Sequence, residues 1–85
     1  MKRFHPKWEA DYEDGYCTAD APGGIILEAE FVADNLWLWV VDVYGEYDFK
    51  NPTGEAKTER GAKTAATRAY NRLVREGVIK VEVEA

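Results

Sequence analysis

Serine and glutamine are absent from this chain, and histidine, cysteine and methionine occur once each, as His5, Cys17 and Met1. A serine nucleophile is therefore excluded, as is any His-assisted acid–base system away from the N-terminus. Cys17 and His5 form the one available thiol–imidazole pair. His5 lies beside Pro6 near a chain end, a poor platform for catalytic geometry, so Cys17 reads as an ordinary buried or half-buried thiol. One Cys and one His cannot complete a four-ligand zinc site within one chain. The acidic run Asp11-Tyr12-Glu13-Asp14-Gly15 lacks the alternating ligands of an EF-hand and has no Glu at the twelfth position, so it reads as a solvated loop. Gly23-Gly24 precedes a strand, not a helix, and is no phosphate cradle. These absences lead to the expectation of a non-enzyme without metal or cofactor.

Other scarcities bear on location. A lone cysteine forms no internal disulfide and favours a reducing compartment. The basic start Met1 to Pro6 is followed by no apolar h-region, and no stretch approaches the ~18 apolar residues of a membrane span. The expectation is a cytoplasmic protein with no membrane partner.

What the chain does contain is apolar and aromatic: 46% hydrophobic residues, with three Trp and five Tyr among 85 residues. Disordered chains lack such residues, so a packed core is expected, in a single α+β domain spanning 1–85. Charge is unevenly distributed. Residues 1–56 carry 12 acids and 4 bases, whereas 57–76 carry 6 bases and 2 acids; the overall net is −5. An acidic surface favours basic partners, with the later segment a local exception.

Apolar spacing predicts one helix over Glu59 to Glu76. Ala62, Ala65, Ala66, Ala69, Tyr70 and Leu73 recur at three and four, with Arg60, Thr64, Thr67, Arg68, Asn71 and Arg75 opposite. Thr58 suits the N-cap, Glu59 the helix dipole and Gly77 the C′ position. Ile25 to Val32 and Leu36 to Tyr44 read as a hairpin. Burying Glu28, Glu30 or Asp42 unpaired is costly, so all three should face water, which sets even positions opposite even. That parity requires an odd loop, supplied by Ala33-Asp34-Asn35, with Asn35 left-handed. Ile25, Leu27, Ala29 and Phe31 then share the helix-facing side with Trp37, Trp39, Val41 and Val43. Val78 to Glu84 alternates, with Ile79, Val81 and Val83 inward, and is expected to join the sheet. A short strand is expected near Tyr47 to Phe49 or Glu55 to Thr58, and another ends near Thr18 before the Pro22-Gly23-Gly24 turn. The predicted architecture is an antiparallel sheet of about four strands with one amphipathic helix on one face.

Two surfaces exceed an ordinary solvated exterior. The second sheet face combines Glu28, Glu30, Asp42, Glu82 and Glu84 with Ile26, Val32, Leu36, Leu38, Val40 and Tyr44; either Phe4, Trp8, Tyr12 and Tyr16 cover it, or a partner does. The helix carries an Arg stripe of Arg60, Arg68, Arg72 and Arg75, with Lys57 and Lys63 nearby. Its ordinary reading is a solvated face that neutralises the acidic sheet edges, and no aromatic residue interleaves with it to stack bases.

The run Leu36-Trp37-Leu38-Trp39-Val40-Val41-Asp42-Val43-Tyr44-Gly45, followed by Gly54 and the Ala-rich helix, is similar to the integrase-type arm-binding domains, which read DNA with a helix-braced sheet. Glu28, Glu30 and Asp42 on that sheet depart from their basic strands. In size, acidity and its sheet-plus-helix pattern the whole chain resembles small acidic phage and mobile-element proteins of the anti-CRISPR type. That resemblance implies a non-catalytic inhibitor acting in the host cell cytoplasm. Its acidic face would occupy a basic nucleic-acid-binding surface of a protein partner such as a CRISPR-Cas complex. The candidate contacts are Glu9, Asp11, Glu13, Asp14 and Asp20, then Glu28, Glu30, Asp42, Glu46 and Asp48, with Leu38 or Tyr44 as apolar anchor. Two alternatives stay open: a nucleic-acid-binding module using the Arg stripe, and a dimeric structural or assembly protein meeting through the second sheet face.

Overall fold

A computed structural model describes residues 4–10, 15–43 and 51–79. Among them, five strands form one antiparallel sheet in sequential order: β1 (Glu9–Ala10), β2 (Tyr16–Ala21), β3 (Ile25–Ala33), β4 (Leu36–Val43) and β5 (Thr53–Ala56). One helix, α1 (Glu59–Arg75), lies across β3, β4 and β5. The α+β class and the single helix packed on the sheet agree with the sequence reading; the sheet has one strand more. β2 continues past Thr18 to Ala21, and of the two sites proposed for a short late strand, the second is close to β5. The proposed strand at 47–49 lies outside the described residues, as does the C-terminal strand beyond Ile79. Val78 is exposed, whereas Ile79 is inward, 1% exposed in the core.

The central hairpin has the expected parity, reached by a different route. Ile26 pairs with Asp42, Glu28 with Val40 and Glu30 with Leu38, even opposite even. The turn itself has two residues, Asp34 and Asn35, and next to it Ala33 pairs with Leu36, odd opposite even. Unchanged along the ladder, that offset would place Glu28 and Glu30 on the side of β4 that carries Trp39 and Val41. The register shifts between Phe31 and Ala33, leaving Val32 as the extra residue of a bulge. A two-residue turn plus one bulged residue thus does the work of a three-residue loop. Asn35 takes the left-handed conformation, φ 62°, which its short polar side chain tolerates.

The odd-numbered side receives the helix. Ile25, Leu27, Ala29 and Val41 are buried there, with Ala19 and Ala21 from β2 and Ala62, Ala66 and Tyr70 from α1. Small alanines on both layers let the helix backbone approach the sheet, and Tyr70 fills the remaining space. Its hydroxyl donates to the Pro22 carbonyl at 2.8 Å, so the polar end of a side chain 1% exposed is satisfied. Trp39 packs against this core and lies over Gly54, its partner on β5; a Cβ there would sit 2.8 Å from the indole. Phe31 departs from expectation. It shares the helix side but sits at the hairpin end, 45% exposed, edge-on to Trp37 with ring centroids 5.6 Å apart.

The helix ends as its sequence signals predict. The Thr58 hydroxyl accepts from the Gly61 N–H at 3.0 Å. At the other end Val78 N–H donates to Leu73 C=O and Gly77 N–H to Val74 C=O, at 2.9 and 3.1 Å, with Gly77 at φ 75°. This paired pattern closes the last turn and leaves Ile79 directed back into the core.

Two substitutions test the packing. Gly54→Ala drives a methyl into the Trp39 ring and should cost about 1–3 kcal/mol in urea unfolding. Tyr70→Phe keeps the ring but removes the tie to Pro22, with an expected loss of about 0.5–1.5 kcal/mol by the same measurement.

Candidate functional site

The even-numbered face of the sheet, opposite the helix, is built by the register just described. Three cross-strand rows are defined by the pairing. One runs Glu9, Thr18, Glu28, Val40, Thr53; the next runs Tyr16, Glu30, Leu38, Glu55; the third runs Asp20, Ile26, Asp42. Six carboxylates from five strands share the face, and none stands directly across from another. Each is separated from the next in its row by an apolar or uncharged residue, which places them ~10 Å apart across the sheet at the usual strand spacing. Direct opposition of like charges is destabilising, and this alternation avoids it.

No lysine or arginine occurs in any of the five strands. Among the described residues, none of the six carboxylates forms a salt bridge. Glu28 accepts a hydrogen bond from the Tyr16 hydroxyl, and Asp42 accepts one from the Asn51 amide at 3.2 Å. Glu9, Asp20, Glu30 and Glu55 are exposed; Ile26, Leu38 and Val40 between them are half-buried. Among the described residues, no three acids converge as a metal site would require.

Glu9, Asp20, Glu28, Glu30, Leu38 and Asp42 are brought together on this face. Asp11, Glu13, Asp14, Tyr44, Glu46 and Asp48 lie outside the described residues. Glu55 belongs to the face and was missed, because only the pairing of β5 with β4 brings it beside Leu38.

The N-terminal segment does not cover this face with Phe4 and Trp8. It runs along the helix side instead. Phe4 N–H donates to Asn71 Oδ1 at 3.0 Å, and Asn71 Nδ2 donates back to the Phe4 carbonyl at 3.2 Å. Phe4 meets Tyr70 edge-on at 5.1 Å, and Lys63 Nζ lies 5.7 Å from the centre of the Trp8 ring. Of the four aromatics considered as a cover, Tyr16 alone is described on the second face; Tyr12 lies outside the described residues. Asn71, read as a solvent-side residue, is instead the clamp that holds the segment.

This placement creates a second feature. Between the segment and α1 runs a groove of about 790 Å³, walled by Phe4, Pro6 and Trp8 on one side. Arg60, Arg68, Arg72 and Arg75 line the other, so the stripe does have aromatic neighbours, contrary to the sequence reading. The omission has a physical reason: the aromatics come from a segment more than fifty residues away in sequence. Its half-buried Phe4, Pro6 and Trp8 alternate with exposed His5 and Lys7, a strand-like period that signals an extended segment resting on something. Lys63 is bonded to Glu59 at 3.0 Å, and Arg72 approaches Glu76 at 3.6 Å. Among the described residues, Arg60, Arg68 and Arg75 have no carboxylate partner. The thiol and imidazole stand in different settings, Cys17 buried in β2 and His5 exposed on the groove.

Comparison with protein families, curated proteins and solved structures finds no match to this chain. Among the described residues, no helix is long and apolar enough to cross a membrane.

The Asn71 clamp is directly testable. Asn71→Ala removes both bonds to Phe4 and should cost about 1–2 kcal/mol of stability. In hydrogen exchange the Phe4 amide should lose its protection, while the amides of β3 and β4 keep theirs.

Proposed function

We propose that this protein is a non-catalytic binding module whose acidic sheet face occupies the basic, nucleic-acid-binding surface of a protein partner. The observation that carries the reading is the alternating array of six carboxylates without a base in the strands that bear it. Beyond fixing which way the hairpin faces, such an array sets a negative potential over the sheet surface. Lys and Arg side chains suit it on two counts. Their cationic heads meet carboxylates, and their apolar stems lie along Ile26, Leu38 and Val40 between them. Charge steers the encounter, and Leu38, central in its row, serves as the apolar anchor.

The same array argues against two copies meeting through this face, because that contact would set carboxylates against carboxylates. Phosphates are repelled for the same reason, so the sheet does not read DNA. The partner class is a nucleic-acid-binding complex in the cytoplasm, a CRISPR-Cas effector among them, and the effect is inhibition by occupancy.

A displacement assay tests this. A purified effector complex is loaded with labelled target DNA, and the protein is titrated against it. Displacement by the wild type should weaken by about tenfold or more in the double variant Glu28→Lys/Glu30→Lys, with Leu38→Ala costing about 1–2 kcal/mol of affinity. Charge reversal that leaves displacement intact would count decisively against the acidic face.

A further inference from the structure

The groove between the N-terminal segment and α1 lies on the other side of the molecule from the carboxylate array and has opposite chemistry. We infer that it binds a short stretch of single-stranded nucleic acid, with its arginines on phosphates and Trp8 beside a base. Three observations converge on that occupant.

The first is charge that is not spent internally. Arg60, Arg68 and Arg75 line the groove without a carboxylate partner among the described residues, although the chain as a whole is acidic, with a net of −5. From Arg60 to Arg75 the helix rises about 22 Å, long enough to track several phosphates of an extended strand. The second is shape. The cleft has a volume of about 790 Å³, its far wall an extended peptide clamped to the helix by Asn71. A peptide lying alongside keeps the helix from entering a duplex groove as a projecting rod, whereas a single strand fits between two walls. The third is the aromatic wall. Trp8 lines the groove half-buried, one side of it packed against the core, with the Lys63 ammonium 5.7 Å from its ring centre. Cations with an aromatic platform are the combination that single-strand sites use, the phosphates supplying affinity and the ring supplying a stacking surface.

This site is independent of the sheet face, and its test separates the two. The probe is a fluorescein-labelled oligothymidine of about twelve nucleotides, followed by anisotropy against the full-length protein at low salt. Three phosphate contacts predict a slope of about −2 in log affinity against log salt, so a fourfold rise in salt should weaken binding about twentyfold. Arg68→Ala should reduce that slope to about −1.4, and its exposed position leaves folding unaffected. Trp8→Ala should weaken binding about fivefold or more, and Trp8→Phe should restore most of it. Thermal melting of each variant confirms that it is folded. Glu28→Lys/Glu30→Lys should leave this binding in place, whatever it does to partner displacement. The inference is overturned by an anisotropy that does not rise with wild-type protein, or by a salt slope unchanged in Arg68→Ala. It is equally overturned if oligoglutamate of matched charge displaces the oligonucleotide at the same concentration as unlabelled oligothymidine, which would make the groove an acidic-peptide site.

Discussion

Successive residues of a strand point to opposite faces, and in this sheet that period of two governs nearly everything else. Glu28, Glu30 and Asp42 sit in strands otherwise made of Ile, Leu, Val, Ala, Phe and Trp. Their desolvation is costly enough to decide which way the hairpin faces. Once they point away from the helix, Ile25, Leu27, Ala29 and Val41 have no alternative but to receive it. The bulge at Val32 belongs to the same constraint. A two-residue turn alone would shift the pairing by one and bring carboxylates round to the side of Trp39 and Val41. One extra residue in β3 restores the match, at the cost of leaving Val32 47% exposed.

From that parity follows the electrical shape of the molecule. The strands contribute six paired acidic positions and no base, while α1 carries arginines along the flank that the sheet does not cover. Among the described residues, the strand carboxylates and the helix arginines are thus held on opposite sides of the two layers. The separation is not an incidental property of composition, since the same residues in a different register would interleave. It gives one small chain two surfaces of contrasting chemistry, an acidic sheet face and a basic cleft.

The N-terminal segment shows how a few contacts turn a helix flank into a cleft. Phe4 against Tyr70 and the reciprocal Asn71 bonds fix the chain on the helix, and Trp8 is carried into place beside Lys63. Tyr70 links this layer to the rest: its ring is core, its edge meets Phe4, and its hydroxyl reaches the Pro22 turn at the end of the sheet. A single buried side chain therefore couples the segment, the helix and the turn between β2 and β3.

Local chemistry made much of the fold legible beforehand. Helix periodicity, the Thr58 cap, the Gly77 terminus, the left-handed Asn35 and the even-to-even hairpin register all follow from interactions between residues near in sequence or from the cost of burying a charge. The gathering of Glu28, Glu30, Asp42 and Leu38 on one face follows from the same reasoning. The arrival of Glu55 beside Leu38, the bulge in place of a longer loop, and the passage of Phe4 and Trp8 along the helix were decided only in three dimensions. Each depends on contacts between segments far apart in the chain, where several pairings satisfy local rules and only the packing of the assembled layers selects one.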